Sequence, residues 1–257
     1  GTSNIGIGCT QEGRTWNIFQ QDMPTGEPAR PTGSEFSGAV RGVQVISIDA
    51  TNRRRIMAFF WDGNAYLSED GGVRWRLTSQ GLPADPSRVS AVALRGNLAL
   101  AVIDAQLYGS QDGGIHWSPL GQFSQPFWGD VHDISIDAHS AAVYAATDNG
   151  VYVAKDQRPW RWERIIDLPK VHKLVKRSSD SEELLIVARG PNDQDSLYRW
   201  WPGQPVRAMA AFGDHVQALA ADPNQDSGVA VYVLLNSGDV AAISSQGARH
   251  SLGRRPD

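Results

Sequence analysis

The sequence predicts an all-β fold built from a repeated four-stranded unit, and three observations support that prediction. An eight-residue phrase with the pattern Ser-x-Asp-x-Gly-x-x-Trp occurs twice, at residues 68–75 and 110–117. Short apolar runs recur along the chain without the 3.6-residue periodicity of an amphipathic helix. Hairpin signals such as Asp148-Asn149-Gly150 separate these runs. Fixed-spacing repetition of this kind indicates a repeat architecture.

The phrase carries the residue types that a tight turn between two strands needs. Its Asp can accept hydrogen bonds from backbone N–H groups of its own turn, and its Gly permits positive φ. Its Trp can lie across the hairpin and bury about 200 Å². We therefore interpret the shared positions as structural. They are Ser68, Asp70, Gly72 and Trp75 in the first copy and Ser110, Asp112, Gly114 and Trp117 in the second.

Weaker copies of the phrase mark four further units. The copy at Cys9–Trp16 keeps the Gly and the Trp, with Cys9 at the Ser position. The copy near residue 154 keeps the Asp and is followed, one residue late, by Trp162, and the copies near residues 201 and 245 keep the Gly. The six marks lie about 40–60 residues apart, a period typical of propeller blades.

The strand order within a unit follows from a second repeat. Each unit begins with a Val-initiated apolar strand, and the string Ile-Ser-Ile-Asp-Ala occurs verbatim at residues 46–50 and 134–138. A near-continuous apolar run follows, such as residues 98–103, and indicates a strand buried on both faces. A third strand leads into the phrase and a fourth follows its Trp. The sequence therefore predicts a β-propeller of four-stranded antiparallel blades, with the inner strand first.

We expect a single domain over residues 1–257, with six blades of which the first is abbreviated. Residues 3–19 supply only a strand, the phrase and another strand, and the Pro- and Gly-rich residues 20–42 are predicted to form a long loop. Upstream sequence or another chain would supply the missing strands. Gly1 is an unusual natural start, so we expect a processed chain or a piece of a longer one. Five blades plus an N-terminal hairpin is the alternative.

The phrase resembles the Asp-box, or BNR, motif of a β-propeller superfamily that includes sialidases, sortilin-type receptors and photosystem II assembly-factor-like proteins. Two copies match the motif fully and four are degenerate. The chain is closest in character to the assembly-factor-like and sialidase-like members. The resemblance implies that the phrase turns lie on the outer rim, away from the ligand face. It also implies an extracytoplasmic location, whether secreted, periplasmic or lumenal.

The residues do not support a sialidase-like active site. Such sites use three arginines around the substrate carboxylate, a Tyr/Glu nucleophile pair and an acidic Asp. The string nearest to the family's Arg-Ile-Pro is Arg55-Ile56-Met57, which lacks the Pro. The sequence contains no His-Glu-x-x-His zinc motif and no phosphate-binding glycine loop. We therefore assign no catalytic, cofactor-binding or metal residue, and we expect no cofactor. Tyrosines at equivalent places on the third strands indicate packing; they are Tyr66, Tyr108, Tyr152 and Tyr198.

Composition narrows the partners further. The net charge of −4, without a broad basic excess, argues against nucleic acid as the partner. The basic run Arg53-Arg54-Arg55 is interpreted as a solvated turn. No apolar stretch approaches the roughly 20 residues that span a bilayer, so this segment is not expected to be transmembrane.

The leading hypothesis is a non-enzymatic propeller that serves as a protein-interaction scaffold or as a subunit of a larger, membrane-associated or extracytoplasmic assembly. An abbreviated blade would leave an edge for another chain. The loop with Phe123, Phe127 and Trp128 is the predicted partner contact, or else it packs between blades or fills the central channel. The rival is a carbohydrate-binding or glycoside-hydrolysing propeller that uses the face with Asp-rich turns.

Overall fold

The computed structural model describes residues 7–9, 17–19, 43–49, 51–60, 63–84, 86–122, 129–157, 160–177, 181–222 and 228–254. Within these ranges every regular element is a β-strand, so the all-β prediction is confirmed. The chain divides into two compact units, residues 1–122 and 123–257, and each is described by itself. No helix in the described ranges is long and apolar enough to cross a membrane.

The first unit contains a hairpin and two four-stranded antiparallel blades. The hairpin pairs β1 (Ile7–Cys9) with β2 (Asn17–Phe19). The first blade comprises β3 (Val43–Ile48), β4 (Ile56–Phe60), β5 (Ala65–Ser68) and β6 (Arg76–Leu77). The second comprises β7 (Val89–Arg95), β8 (Leu98–Ile103), β9 (Gln106–Ser110) and β10 (Ser118–Gln122).

The second unit contains three blades with the same sequential strand order. The third blade comprises β11 (Val131–Ile136), β12 (Val143–Thr147), β13 (Gly150–Gln157) and β14 (Trp160–Ile166). The fourth comprises β15 (Val171–Lys176), β16 (Leu184–Arg189), β17 (Asp195–Trp200) and β18 (Arg207–Ala211). The fifth comprises β19 (Val216–Ala221), β20 (Val229–Leu235), β21 (Asp239–Ser244) and β22 (Arg249–Arg254).

The described residues therefore form a β-propeller with five blades, and the expectation of six was wrong. The N-terminal copy of the phrase lies between β1 and β2, which pair only with each other among the described residues. Two three-residue strands make half a blade, so the structure corresponds to the alternative of five blades and a hairpin. The long loop predicted for residues 20–42 lies outside the described residues.

The core of each unit lies between successive blades. In the first unit, Val92 and Leu94 on β7 pack against Met57, Phe59 and Leu67 of the preceding blade. All five residues of β4 are buried, as predicted for a strand covered on both faces. In the second unit, Leu174 on β15 packs in the same way against the third blade. The inner strand of a blade thus presents its apolar side chains to the blade before it.

Candidate functional site

The first copy of the phrase forms the turn between β5 and β6, and its side chains bond within that turn. Asp70 Oδ1 accepts hydrogen bonds from the backbone N–H groups of Val73 (3.0 Å) and Arg74 (2.9 Å). The Arg74 bond is the largest cause of a pKa for Asp70 below its ordinary value. Ser68 Oγ donates to Asp70 and accepts from the Gly72 N–H at 2.8 Å. Asp70 Oδ1 and Ser68 Oγ are therefore both engaged within the turn.

The second copy, between β9 and β10, repeats these bonds and adds contacts to the preceding blade. Trp117 Nε1 donates to Gly114 O in its own turn and to Thr78 O, 2.9 Å away in the first blade. Its ring also meets the ring of Phe59 edge-on, with centroids 5.8 Å apart. Gly114 has φ of 96°, and a Cβ there would lie 2.1 Å from Met57 Cε. This copy therefore holds two blades together as well as closing a turn.

Asp112 differs from Asp70 in having a second side-chain partner, the His116 ring. Burial raises the pKa of Asp112, but hydrogen bonds from the His116 backbone, Ser110 Oγ and the His116 ring outweigh it and hold the pKa well below its usual range. His116 Nδ1 lies 2.6 Å from Asp112 Oδ2 on the surface. A carboxylate fixed by so many donors is suited to structure rather than to proton transfer.

A buried ion pair follows the first strand of the first blade, and the sequence did not reveal it. Asp49 Oδ2 accepts from Arg55 Nη1 (2.9 Å) and from the Gly96 N–H (2.9 Å) of the second blade. Arg55 also donates to Gly96 O and Gly113 O. The arginine closest to the sialidase-type string thus links two blades. The signal available was the repeated Ile-Ser-Ile-Asp-Ala string, whose Asp is buried in both copies.

Each of the five inner strands carries a β-bulge at its second residue. Bulges bend a strand and re-aim a side chain, and they are frequent next to binding sites. The bulged residues are all polar: Gln44, Ser90, His132, His172 and Gln217. A repeated bulge therefore places one polar side chain per blade at the start of the inner strands.

In the second unit two of these bulged residues are histidines paired with aspartates. His132 Nε2 lies 2.8 Å from Asp148 Oδ1, and His172 Nε2 lies 3.0 Å from the buried Asp195 Oδ1. Burial lowers the pKa of His172, and the charge of Asp195 only partly offsets this. Asp195 also accepts from the Val216 N–H at 2.7 Å, which helps to keep its pKa low despite burial.

The Asp-rich turns at this end of the blades are also internally bonded. Asp104 accepts from Ser87 and from the Arg88 N–H, and Asp214 accepts from the Ser237 N–H. Both have pKa values below the ordinary one, mainly because of these bonds. The described residues contain no group of three or more His, Cys, Asp or Glu side chains that could hold a metal ion.

Among the residues that the structure describes, one carboxyl group has a pKa above its ordinary value. Burial raises the pKa of Asp133, and its two oxygens accept from the Ile134 and Leu174 N–H groups, each at 3.0 Å. Leu174 belongs to the next blade, so Asp133 joins the third and fourth blades. It is not placed as a general acid facing a substrate.

An exposed apolar face lies on β3. Ile46 is 45% exposed and Ile48 is 57% exposed. In the identical string on β11, Ile134 and Ile136 are only 4% and 6% exposed. The corresponding residues of β7 and β15 pack on the blade before them, so this face of β3 is the one that a preceding element would cover. The predicted contact residues Phe123, Phe127 and Trp128 lie outside the described residues.

Comparisons with known proteins agree with the fold. No family model and no curated protein matches the sequence. Among solved structures, YCF48 bound to D1 peptide is similar over 84% of this chain and 70% of its own, with a TM-score of 0.61 and 18% identity. The GH74 xyloglucanase from Xanthomonas campestris is similar over 82% of this chain and 38% of its own, with a TM-score of 0.62 and 15% identity.

A third similar structure is the extracellular domain of BT4673 from B. thetaiotaomicron. It matches 87% of this chain and 29% of its own, with a TM-score of 0.60 and 14% identity. The chain thus spans well under half of this protein and of the xyloglucanase. At these identities the likeness shows the fold, and the chain is a member of the β-propeller class. The Asp-box label remains a prediction from the phrase.

Proposed function

We propose that the chain is a non-enzymatic β-propeller that binds a protein partner as part of a larger extracytoplasmic assembly, and that the partner contacts the exposed face of β3. The observation that carries the proposal is the contrast between Ile46 and Ile48 on β3 and the same residues, buried, on β11. Fully burying an isoleucine is worth about 1.5–3 kcal/mol. Two half-exposed isoleucines would therefore contribute a useful part of a binding free energy.

The positively charged side chains beside this face indicate which kind of partner would bind there. The turn after β3 exposes Arg53 and Arg54, and neither guanidinium has an ion-pair partner among the described residues. Arg55, by contrast, is held by Asp49. A partner segment with apolar side chains flanked by carboxylates would cover the isoleucines and meet the free arginines. An acidic, apolar peptide segment is the occupant that fits.

The similar solved structures include both a peptide-bound protein and a hydrolase. YCF48 has a similar fold and is described bound to a peptide. The GH74 xyloglucanase shares the fold and is a hydrolase. A glycosidase needs a carboxylic acid with a raised pKa that reaches the substrate. Within the part of the chain that the structure describes, Asp133 is the carboxyl group with a raised pKa, and it instead accepts two backbone hydrogen bonds, which favours binding over hydrolysis.

A peptide selection tests the proposal. A phage-displayed library would be selected on the immobilised chain, and the affinities of enriched peptides would be measured by fluorescence polarisation. We expect enrichment of acidic, apolar peptides. Ile48→Asp should raise their Kd at least tenfold, about 1.4 kcal/mol or more. Arg53→Glu should also weaken binding.

Leu252→Asp is the matched control, since Leu252 is 57% exposed like Ile48 but lies on the outermost strand of the fifth blade. Its Kd should stay within about twofold of the parent. Peptides that bind Ile48→Asp as tightly as the parent would overturn the assignment of the surface. Turnover of a polysaccharide by the chain, abolished by substitution of an Asp, would overturn the non-enzymatic proposal.

A further inference from the structure

A cavity of about 830 Å³ lies within the second unit, between the third and fourth blades. It opens at the end where the first strands finish, opposite to the bulges and the His–Asp pairs. Its walls come from β12, β13 and β14 on one side and from the segments after β15 and β17 on the other. Its volume falls within the range of about 300–1,000 Å³ that is typical of small-molecule sites.

One packing position beside the cavity differs in residue type from its counterpart in the first unit. Leu94 is the sixth residue of its inner strand and is buried against the preceding blade. The sixth residue of β15 is Lys176, whose ammonium group instead pairs with the buried Asp137 of the third blade. Lys176 and Asp137 both line the cavity, so their ion pair forms part of its wall. Because Lys176 and Asp137 neutralise each other, neither charge is available to a ligand.

The cavity walls combine aromatic rings with hydrogen-bonding groups. Trp200 and Tyr144 line it and are only partly buried, so their rings are accessible. Burial and the nearby Glu182 raise the pKa of Tyr144 above its ordinary value of 10, so its hydroxyl, as in any tyrosine, can donate at neutral pH. Aromatic faces beside fixed polar groups bind molecules that have both apolar C–H surfaces and polar edges.

The charges of the lining balance. Besides the Lys176–Asp137 pair, the lining holds two cationic side chains, Lys155 and Arg164, and two carboxylates, Glu163 and Glu182. A phosphate or another strong anion would meet the carboxylates, and a strong cation would meet the basic groups. Neutral hydroxyl groups can donate to the carboxylates and accept from the basic groups. The lining therefore selects a neutral polyhydroxy molecule.

We infer that this cavity binds a neutral saccharide of one or two rings, with one sugar face on Trp200 and hydroxyl groups on Glu163 and Glu182. This site is separate from the exposed face of β3 and goes beyond the proposed partner binding. It concerns binding alone and includes no hydrolysis step.

Saturation-transfer NMR and titration calorimetry on the whole chain test the inference. The probes are methyl β-glucoside, methyl β-galactoside, cellobiose and maltose, with glucuronate and glucosamine as charged comparators. We expect at least one neutral probe to bind with a millimolar or lower Kd and more tightly than both charged sugars. Trp200→Ala should raise that Kd at least tenfold, and Glu163→Gln should raise it at least threefold.

Trp201→Ala is the matched control, because the adjacent Trp201 ring lies against Arg199 rather than in the cavity lining. It should leave the Kd within about twofold. Trp200 also contacts an apolar cluster, so exposed Glu163 gives the decisive variant if Trp200→Ala fails to fold. The inference is overturned if no neutral probe binds, if a charged sugar binds more tightly, or if Glu163→Gln binds like the parent. Peptide binding at β3 should be unchanged in these variants, so the two proposals can fail separately.

Discussion

Replacing Asp49 by Asn should destabilise the first unit strongly, although the two side chains have the same shape. Asp49 Oδ1 accepts from the Thr51 N–H and hydroxyl, and the amide oxygen of Asn can keep these bonds. At the Oδ2 position the amide nitrogen would face Arg55 Nη1 and the Gly96 N–H, which are both donors. Two buried donors would then lose their acceptor.

The expected cost follows from these two losses. A buried donor left without a partner costs about 1–3 kcal/mol, and breaking a buried ion pair from one side costs about 3–5 kcal/mol. We therefore expect Asp49→Asn to lower the free energy of unfolding by about 4 kcal/mol. Urea unfolding followed by tryptophan fluorescence measures this as a lower midpoint with an unchanged slope.

The same arginine offers a matched control. Arg55 Nε also lies 3.7 Å from Glu69, whose side chain is 58% exposed. Glu69→Gln should cost at most about 0.5 kcal/mol, because solvent screens an exposed pair. Equal effects of Asp49→Asn and Glu69→Gln, or a cost below about 1 kcal/mol for Asp49→Asn, would refute the reasoning.

The pH dependence supplies a second check on Asp49. Burial raises its pKa, but the hydrogen bonds from Thr51, with those from Gly96 and Arg55, outweigh burial and leave the pKa below the ordinary 3.8. The stabilisation is thus fully present above about pH 4 and is lost as the pH falls through the lower folded-state pKa. The difference in unfolding free energy between the parent and Asp49→Asn should stay constant between about pH 5 and pH 7 and should shrink as the pH falls below about 4.

Three further predictions concern the phrase, the bulges and the repeated string. Trp117→Phe should cost about 1 kcal/mol more than Trp75→Phe in urea unfolding, because Trp117 Nε1 bonds to two carbonyl oxygens and Trp75 Nε1 to one; equal costs would contradict a link between blades. His172 has a lowered pKa, so the parent should lose stability as the pH falls below about 6.5, and His172→Gln should flatten that part of the stability–pH curve. Ile134→Ala should cost about 2–5 kcal/mol and Ile46→Ala less than about 1 kcal/mol; similar values would show that the β3 face is covered.

The elements of the fold were predictable because their signals are local. The Val-initiated strands, the buried runs and the phrase each depend on residues within one blade, and the structure contains all of them. The predicted blade count was wrong because it also depended on a local signal. The degenerate phrase at residues 9–16 falls in sequence between two paired strands, and a pair of strands does not require that two further strands exist.

The features that matter for function depend on contacts between blades. The partners of Asp49 include Gly96, 47 residues further along the chain. Ile46 and Ile134 lie in identical strings, so no local pattern distinguishes the exposed residue from the buried one. Lys176 at an apolar strand position is a visible departure from the repeat, but only its partner Asp137, 39 residues earlier in the third blade, explains it.

The repeated bulge has a consequence for how this chain can change over time. Val131 and Ile134 are both buried although they are three residues apart, because the bulge takes up the extra residue between them. Deleting His132 would therefore restore simple alternation and leave Ile134 and Ile136 on the core side of β11. Deleting Ser135, beyond the bulge, would instead turn Ile136 away from the core. Natural variation in the length of the inner strands should therefore be confined to the bulged positions.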